Sequence, residues 1–348
     1  MGLPPDRRRQ LQQLGLRALI KRRFGDDVAA AARPLGFAGG AAMLADGREL
    51  ALAAVFADTP AALGTAVDLA HREGAHHLYF FAEDNTGDTA RRARQFRLPV
   101  TVVDPDGDFQ ALEPGRPQPV VPIRPALAPA AARLVAAGLA AEWEHEVLTG
   151  EWLGLEVARA LGEGGAALEV GVGRNDRAAS RLSHPGGAPD QVLDQAVAVV
   201  RDLRRADAPP HPANRLAPER WLRAVVTGRP ELVGPAGCTE LRTAPPPAPR
   251  SDLRQRSIAP AWGVDPEGTA VVVVCSTGID PDLVPQAADA RVQAPGWPGF
   301  PAANGGPVRL VVVVPEGDDH PLTRRLVALL REPGELVTVP ADWRRSAG

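Results

Sequence analysis

The clearest hydrophobic pattern in the chain runs from Ala270 to Pro340. Val271-Val272-Val273-Val274 is a short continuous apolar run, the mark of a strand buried on both faces. Val308 to Val314 and Leu336 to Val339 repeat that mark. Between them, Asp282 to Arg291 and Pro321 to Leu330 place apolar residues at helical spacing, which predicts a β-α-β-α-β unit. The same alternation occurs once before, between Ala51 and Val103. There Thr59-Pro60 opens a helix that stops near Gly74, and His77 to Ala82 is a buried strand. Thr86 to Phe96 is a second helix, and Pro99 to Val103 a last strand. Strands alternating with helices at this spacing predict parallel pairing and right-handed crossovers.

The two units align residue by residue. Pro60, Ala66 and Asp68 fall on Pro281, Ala287 and Asp289 at one offset. Leu78 to Glu83 runs parallel to Val311 to Glu316, and Arg91-Arg92 falls on Arg324-Arg325 at that second offset. Val100-Thr101-Val102 matches Val337-Thr338-Val339. The offset grows only between elements, where insertions are tolerated. Matching strands alone carry little weight, but the Arg pairs and the Val-Thr-Val triplets point to a duplication.

The remaining elements flank these units. Asp6 to Arg23 sets Leu11, Leu14, Leu16, Leu19 and Ile20 among basic residues, predicting an amphipathic helix, with a short helix from Asp27 to Arg33 after it. Gly36 to Leu44 and Glu49 to Ala57 read as a hairpin turning on Asp46-Gly47. Glu113 to Pro125 holds five prolines in thirteen residues and reads as a linker. A middle region follows: a helix from Ala128 to Glu146, a hairpin of Glu151 to Leu161 with Ala167 to Arg174, and a helix from Asp190 to Arg205. Pro218 to Val226 is a short helix, and Val233 to Gln255 is irregular. The predicted architecture is α/β: duplicated β-α-β-α-β units with a middle α+β region of helix, β-hairpin and helix. The predicted segments are an N-terminal domain (1–112), a linker (113–126), the middle region (127–206) and a C-terminal domain (207–348).

Composition narrows the options. The 348 residues are 45% hydrophobic with a formal charge of -3, so nothing in the overall charge drives the chain toward nucleic acid or a membrane surface. Lys21 is the single lysine, and the other basic residues are Arg, which reads first as coding bias on ordinary surface. Cys238 and Cys275 are too few for a disulfide framework. No apolar stretch approaches a membrane span, and no apolar h-region follows Met1, which predicts a cytoplasmic location.

Most catalytic patterns are absent. There is no Gly-Lys-Ser/Thr, no Gly-x-Ser-x-Gly and no His-Glu-x-x-His. Gly171-Val172-Gly173 sits in a strand-like run and is not expected to open a helix, so it does not read as a dinucleotide loop. Three groups of residues remain as candidates. Ser276, Thr277 and Gly278 end a strand before a helix, where backbone N–H groups cradle anions; this predicts a small-anion or nucleotide site over residues 275–282. Glu156 and Glu169 lie on the two arms of the middle hairpin, flanked by apolar residues, and with Asp176 they would suit Mg²⁺ and metal-dependent nuclease chemistry. The bland alternative is a solvated sheet face neutralised by Arg159 or Arg174. Arg8, Arg22 and Arg23 on the first helix, with Arg91, Arg92, Arg324 and Arg325, are the candidate nucleic-acid contacts.

The order of helix, hairpin, crossover helix, strand, helix and strand over Gly40 to Val103 resembles a restriction-endonuclease-like (PD-(D/E)xK) fold. That resemblance implies an acidic residue and a Glu-x-Lys holding Mg²⁺. The chain has no Glu-x-Lys, and the corresponding strand reads Leu50-Ala51-Leu52-Ala53-Ala54-Val55, without charge. The resemblance therefore implies a degenerate nuclease fold that binds or scaffolds, with nucleic acid or protein as partner, and does not cut. Through Gly154-Leu155-Glu156-Val157-Ala158-Arg159, Leu168-Glu169-Val170-Gly171-Val172-Gly173 and Ala287-Ala288-Asp289-Ala290-Arg291 the chain also resembles a family of uncharacterised actinobacterial proteins, which implies no activity.

Overall fold

The computed structural model describes residues 5–38, 40–47, 50–57, 59–82, 84, 86–103, 110–117, 119–161, 166–236, 238–247, 257–301 and 306–347. The chain is a mixed α/β protein, with three sheets among the described residues. The first segment contains α1 (Pro5–Phe24), α2 (Asp26–Ala31), β1 (Arg33–Leu35), β2 (Gly40–Gly47) and β3 (Leu50–Ala57). α3 (Leu63–Arg72), β4 (His77–Ala82), α4 (Gly87–Ala93) and β5 (Val100–Val102) complete it. The middle segment contains α5 (Ala128–Ala136), β6 (Ala140–Glu144), β7 (Val147–Trp152), β8 (Leu155–Ala160), β9 (Leu168–Val170), α6 (Gly173–Ser183) and α7 (Asp190–Leu203). The last contains α8 (Pro218–Gly228), β10 (Leu241–Thr243), β11 (Ala259–Val264), β12 (Ala270–Cys275), α9 (Leu283–Gln293), β13 (Arg309–Pro315), α10 (Pro321–Ala328) and β14 (Glu335–Val339). No helix among the described residues is long and apolar enough to cross a membrane.

The repeat is larger than the sequence indicates. One sheet has the order β1-β2-β3-β4-β5 and another β10-β11-β12-β13-β14. In each, the first two pairings are antiparallel and the last two parallel. β10 falls within the segment expected to be irregular, and β11 follows it, where no element was expected. Pro260 and Gly263 break the strand pattern of β11, yet its backbone pairs with β12 over six residues. At the other end, Arg33 belongs to β1 rather than to the helix predicted to contain it.

The chain divides into two compact units. Unit 1 is Met1–Gln118, Ile279–Asp289 and His320–Gly334, and unit 2 is Pro119–Gly278, Ala290–Asp319 and Glu335–Gly348. In unit 1, α1 buries Leu16 and Ile20 against Ala41, Met43 and Ala45 of β2. Gly64 of α3 approaches the other helical segment so closely that a Cβ there would lie 1.9 Å from the Pro281 carbonyl oxygen. The ends of the fourth and tenth helical segments join by an antiparallel bridge at Phe96 and Leu330. Arg97 N–H donates to Leu329 O at 2.9 Å, and Arg331 N–H donates to Gln95 O at 2.7 Å.

In unit 2, Val271 to Val274 and Val311 to Val313 are fully buried. Burying each such side chain contributes about 1.5–3 kcal/mol relative to leaving it in water. α8 covers this sheet with Trp221, Leu222, Val225 and Val226. The four-stranded sheet β6-β7-β8-β9 is antiparallel throughout. It corrects the predicted helix from Ala128 to Glu146, which ends at Ala136. Gly138 (φ 76°) stops it, with Gly138 N–H on Val135 O at 2.9 Å and Leu139 N–H on Leu134 O at 3.0 Å, a Schellman cap. The predicted strand from Glu151 is likewise two strands, turning on Leu153 (φ 45°) and Gly154 (φ 74°).

Candidate functional site

The anion-loop prediction leads to a large cavity. It lies within unit 2 and has a volume of about 1090 Å³. Thr277 and Gly278 follow β12, Pro315, Gly317 and Asp318 follow β13 at its end, and Ala341, Trp343 and Arg344 follow β14. The cavity therefore opens at the carboxyl ends of three adjacent parallel strands, where open α/β sheets bind ligands. The segment between α7 and α8 supplies the other wall, through Arg205, His211, Asn214 and Arg215, with Trp221 from α8.

One buried arginine shapes that wall. Arg204 is fully buried and gives its protons to backbone carbonyls: Leu153 (2.9 Å), Ala213 (3.2 Å), Leu216 (2.9 Å) and Ala217 (3.1 Å). Ala217 is left-handed (φ 44°) at the start of α8, a conformation that disfavours alanine and here is held by that guanidinium. Arg204 also lies 4.6 Å from the Trp221 ring centroid, and Arg344 lies 5.3 Å from the same ring and 4.7 Å from Trp343. Burial holds the Arg344 pKa below its usual value, while Asp318 acts to raise it.

The loop does not work as expected in detail. Ser276 is buried, and its N–H donates to Val313 O at 3.0 Å, continuing the strand pairing. Gly278 (φ 74°) does present an N–H, but that proton goes to Asp318 Oδ2 at 2.7 Å. The anion held by the loop is thus a carboxylate of the protein itself. Arg205, Arg215 and Arg344 are the arginines of the cavity and Asp318 its acidic residue. Arg205 is partly engaged, at 3.2 Å from Asp207.

The nuclease candidates have different surroundings. Glu156 and Glu169 are buried, not on a solvated face. The register places Arg159 opposite Glu169, so the two glutamates are not directly paired across the hairpin. Arg159 grips Glu156 at 3.1 Å through Nε and Nη2, and Arg177 approaches it at 2.7 Å. Arg181 binds Glu169. Asp176 is exposed in the first turn of α6. These carboxylates are neutralised by arginine, and no group of three or more His, Cys, Asp or Glu is placed to hold a metal among the described residues. Gly171-Val172-Gly173 does open a helix, correcting the sequence expectation: β9 ends at Val170 and α6 starts at Gly173. Where a dinucleotide loop needs a third glycine, Asp176 stands, already 2.7 Å from where a Gly171 Cβ would lie.

The candidate nucleic-acid arginines separate into two groups. Arg8, Arg22, Arg23 and Arg324 are exposed. Arg91 is buried and donates to Asp289 through Nε at 2.5 Å and Nη2 at 3.0 Å. Arg92 reaches Asp289 at 3.3 Å and Asp282 at 3.4 Å. Arg325 donates to Asp68 at 2.6 Å and 3.2 Å. All three bond buried carboxylates inside unit 1; Arg91 is itself buried, whereas the Arg325 side chain remains 40% exposed.

A second cluster was not foreseen. In unit 2, Arg220 binds Glu144 and Glu151, and Arg223 lies 3.8 Å from Glu142 and 3.5 Å from Glu144 and Glu151. Burial, and then the neighbouring carboxylates, raise the Glu142 pKa against the pull of Arg223. The cavity residues Arg215, Asn214, Trp221, Trp343 and Arg344 were also missed. Their one sequence signal is the placement of Trp343-Arg344 just after the last strand of the second repeat.

No protein-family model matches the chain, and no curated protein or solved structure matches it. The likeness to nuclease domains rests on element order alone.

Proposed function

We propose that this chain is a non-catalytic binding protein whose ligand is a small anion-bearing molecule, held in the unit 2 cavity. One observation carries the reading: three arginines line a cavity of about 1090 Å³ whose lining holds a single acidic residue, at the carboxyl ends of β12, β13 and β14. Guanidinium groups suit phosphate and carboxylate because their planar fork bonds two oxygens at once. The arginine pairing of Glu156 and Glu169 favours this reading over metal-dependent cleavage.

Inorganic phosphate and nucleoside monophosphates are the first probes. A ligand at a hundred times its dissociation constant stabilises the folded state by about 2.7 kcal/mol. The expected outcome is a melting temperature that rises with ligand concentration. Asp318→Asn keeps an acceptor for the Gly278 N–H but removes the competing charge, so it should bind phosphate several-fold more tightly. A melting temperature unmoved by phosphate, sulfate and nucleotides would sink the proposal.

A further inference from the structure

Two surfaces of opposite charge stand exposed, one in each unit. In unit 1, α1 turns Leu16 and Ile20 inward, yet its outer side is apolar too: Leu11 is 51% exposed and Leu14 65%. Arg7, Leu11, Leu14, Ala18 and Arg22 are all exposed and follow one another three or four residues apart, which lines them up as one ridge along the helix. α1 carries seven basic residues against one acidic, in a chain whose formal charge is -3. In unit 2, the outer face of α5 holds Ala128, Pro129, Ala132, Val135 and Ala136, all exposed and without a polar side chain. Its one charged residue, Arg133, is bonded to Asp190 and the Ala188 carbonyl. A surface helix ordinarily sets charges on its solvent side. Between the end of α5 and α7 lies an open groove of about 530 Å³, lined by Ala136, Val197 and Ala198 together with Asp194 and Asp202. The arginine of the groove, Arg201, lies 4.4 Å from the Trp152 ring centroid and donates to the Ala137 carbonyl at 3.4 Å. Asp194 is exposed, and Asp202, 82% exposed, meets Arg205 only at 3.9 Å.

We infer that the α1 ridge of one molecule docks on the α5–α7 groove of a second copy of this chain. Its leucines meet alanine and valine, and the arginines that bracket them meet Asp194 and Asp202. Charge complementarity selects this occupant: ridge on ridge sets arginine against arginine, and groove on groove sets aspartate against aspartate. The two leucines favour a protein partner over nucleic acid, whose phosphates give them no apolar contact. Because the two surfaces differ, the contact is heterologous and builds open chains or rings rather than a two-fold dimer. The apolar residues involved are small, so the association is weak, in the range of about 10 µM to about 1 mM.

The test is sedimentation velocity of the full chain over that range, at about 50 mM and about 500 mM NaCl. The mean mass should climb above that of one chain with concentration and fall back at high salt. Leu14→Glu on the ridge and Ala198→Arg in the groove alter exposed positions, and each should weaken association at least about tenfold. Mixed in equal amounts, the two variants should form a one-to-one complex and stop there, because each supplies the half that the other lacks. Neither substitution touches the anion cavity, so phosphate affinity should stay at the wild-type level. A wild type that stays monomeric at about 1 mM overturns the inference, and a mass that rises only on adding a DNA duplex assigns α1 to nucleic acid instead. Variants that both lose association but do not complement each other overturn it too, since the contact then lies elsewhere. Self-association that salt leaves unchanged overturns the arginine–aspartate pairing, and the wild type alone reports it even where a variant fails to fold.

Discussion

The buried pairs of unit 1 and the cavity of unit 2 use arginine in opposite ways. In unit 1, Arg91, Arg92 and Arg325 reach aspartates that occupy matching positions in the two repeats. Asp68 of the first repeat corresponds to Asp289 of the second, and Arg92 corresponds to Arg325. Arg92 bonds Asp289, and Arg325 bonds Asp68, so each Arg pairs with the Asp of the other repeat. The exchange is reciprocal, as a two-fold related pair of helical hairpins requires, and the Phe96–Leu330 bridge obeys the same relation. In the unit 2 cavity, Arg344 faces two indole rings and a carboxylate that already accepts from Gly278. An arginine paired with a buried aspartate holds structure together. One stacked on tryptophan at a cavity wall would, under the anion-binding proposal, keep donors for a ligand.

The largest test of that contrast is to break the buried pairs. Asp289 is fully buried, and Asp289→Ala would leave the Arg91 guanidinium, itself buried, with Nε and Nη2 unbonded and only Nη1 held, by Asp88 and Gly115 O. Burial works to lower the Arg91 pKa, and Asp289 together with Asp88 holds it above the usual value, so the charge does not leave when the partner does. Removing one member of a buried pair costs about 3–5 kcal/mol. Asp68→Ala should cost less, about 1.5–3 kcal/mol, because Arg325 is 40% exposed and can turn to water. Urea unfolding of both variants checks the ranking. Equal losses, or a loss below about 1 kcal/mol for Asp289→Ala, would mean that these pairs do not hold unit 1 together.

How far the sequence revealed this follows from what kind of signal each feature carries. The valine runs of β12 and β13 and the helices between parallel strands were legible because burial on both faces leaves an unbroken apolar pattern. The Arg pairs and Asp68/Asp289 were visible as repeated residues, but their meeting was not, since sequence alignment shows equivalence and not contact. β6 and β7 were missed because their turn is His145-Glu146 (φ 47° and 65°), left-handed residues without the Asn-Gly or Asp-Gly signature. Gly138, which ends α5, was a readable stop signal that the expected long helix ran through. The loop Ser276 to Gly278 was found because strand-loop-helix order is local. Arg215, Asn214 and Trp221 come from a Pro-rich break and a short helix, and only the tertiary fold brings them to that loop.

A carboxylate that the unit 1 arginines do not saturate gives the next effect in size. Asp282 is buried, its Oδ1 has no partner, and Oδ2 accepts from Gln286 at 2.9 Å and, at longer range, from Arg92. Burial first, against the pull of Arg92 and aided by Asp280 and Asp289, pushes its pKa up to about 7. In the unfolded chain an aspartate titrates near 4. Between about pH 4 and 7 the folded state therefore holds a proton that the unfolded state has lost, and stability falls as pH rises through that window. From pH 5 to pH 7 the loss from this group is on the order of 2 kcal/mol. Asp282→Asn carries no titrating proton, so the difference in unfolding free energy between variant and wild type should grow in the variant's favour as pH rises. Parallel pH profiles for the two proteins would show that Asp282 stays ionised and that Arg92 saturates it after all.

The smallest stability effect belongs to the cavity arginines, and that smallness is the point of the comparison. Arg215 is exposed and bonds no carboxylate among the described residues, so Arg215→Ala should change the unfolding free energy by less than about 0.5 kcal/mol. Arg344→Ala forfeits its stacking on Trp221 and Trp343 and its attraction to Asp318, about 1 kcal/mol together. Each should nevertheless lower phosphate affinity about tenfold, because a charge-assisted hydrogen bond to the anion goes with it. Urea unfolding and phosphate titration on the same preparations separate the two quantities. If Arg344→Ala destabilises the free protein as much as Asp68→Ala does, Arg344 is a structural arginine like those of unit 1. If it leaves both stability and phosphate affinity untouched, the cavity is not where the anion binds.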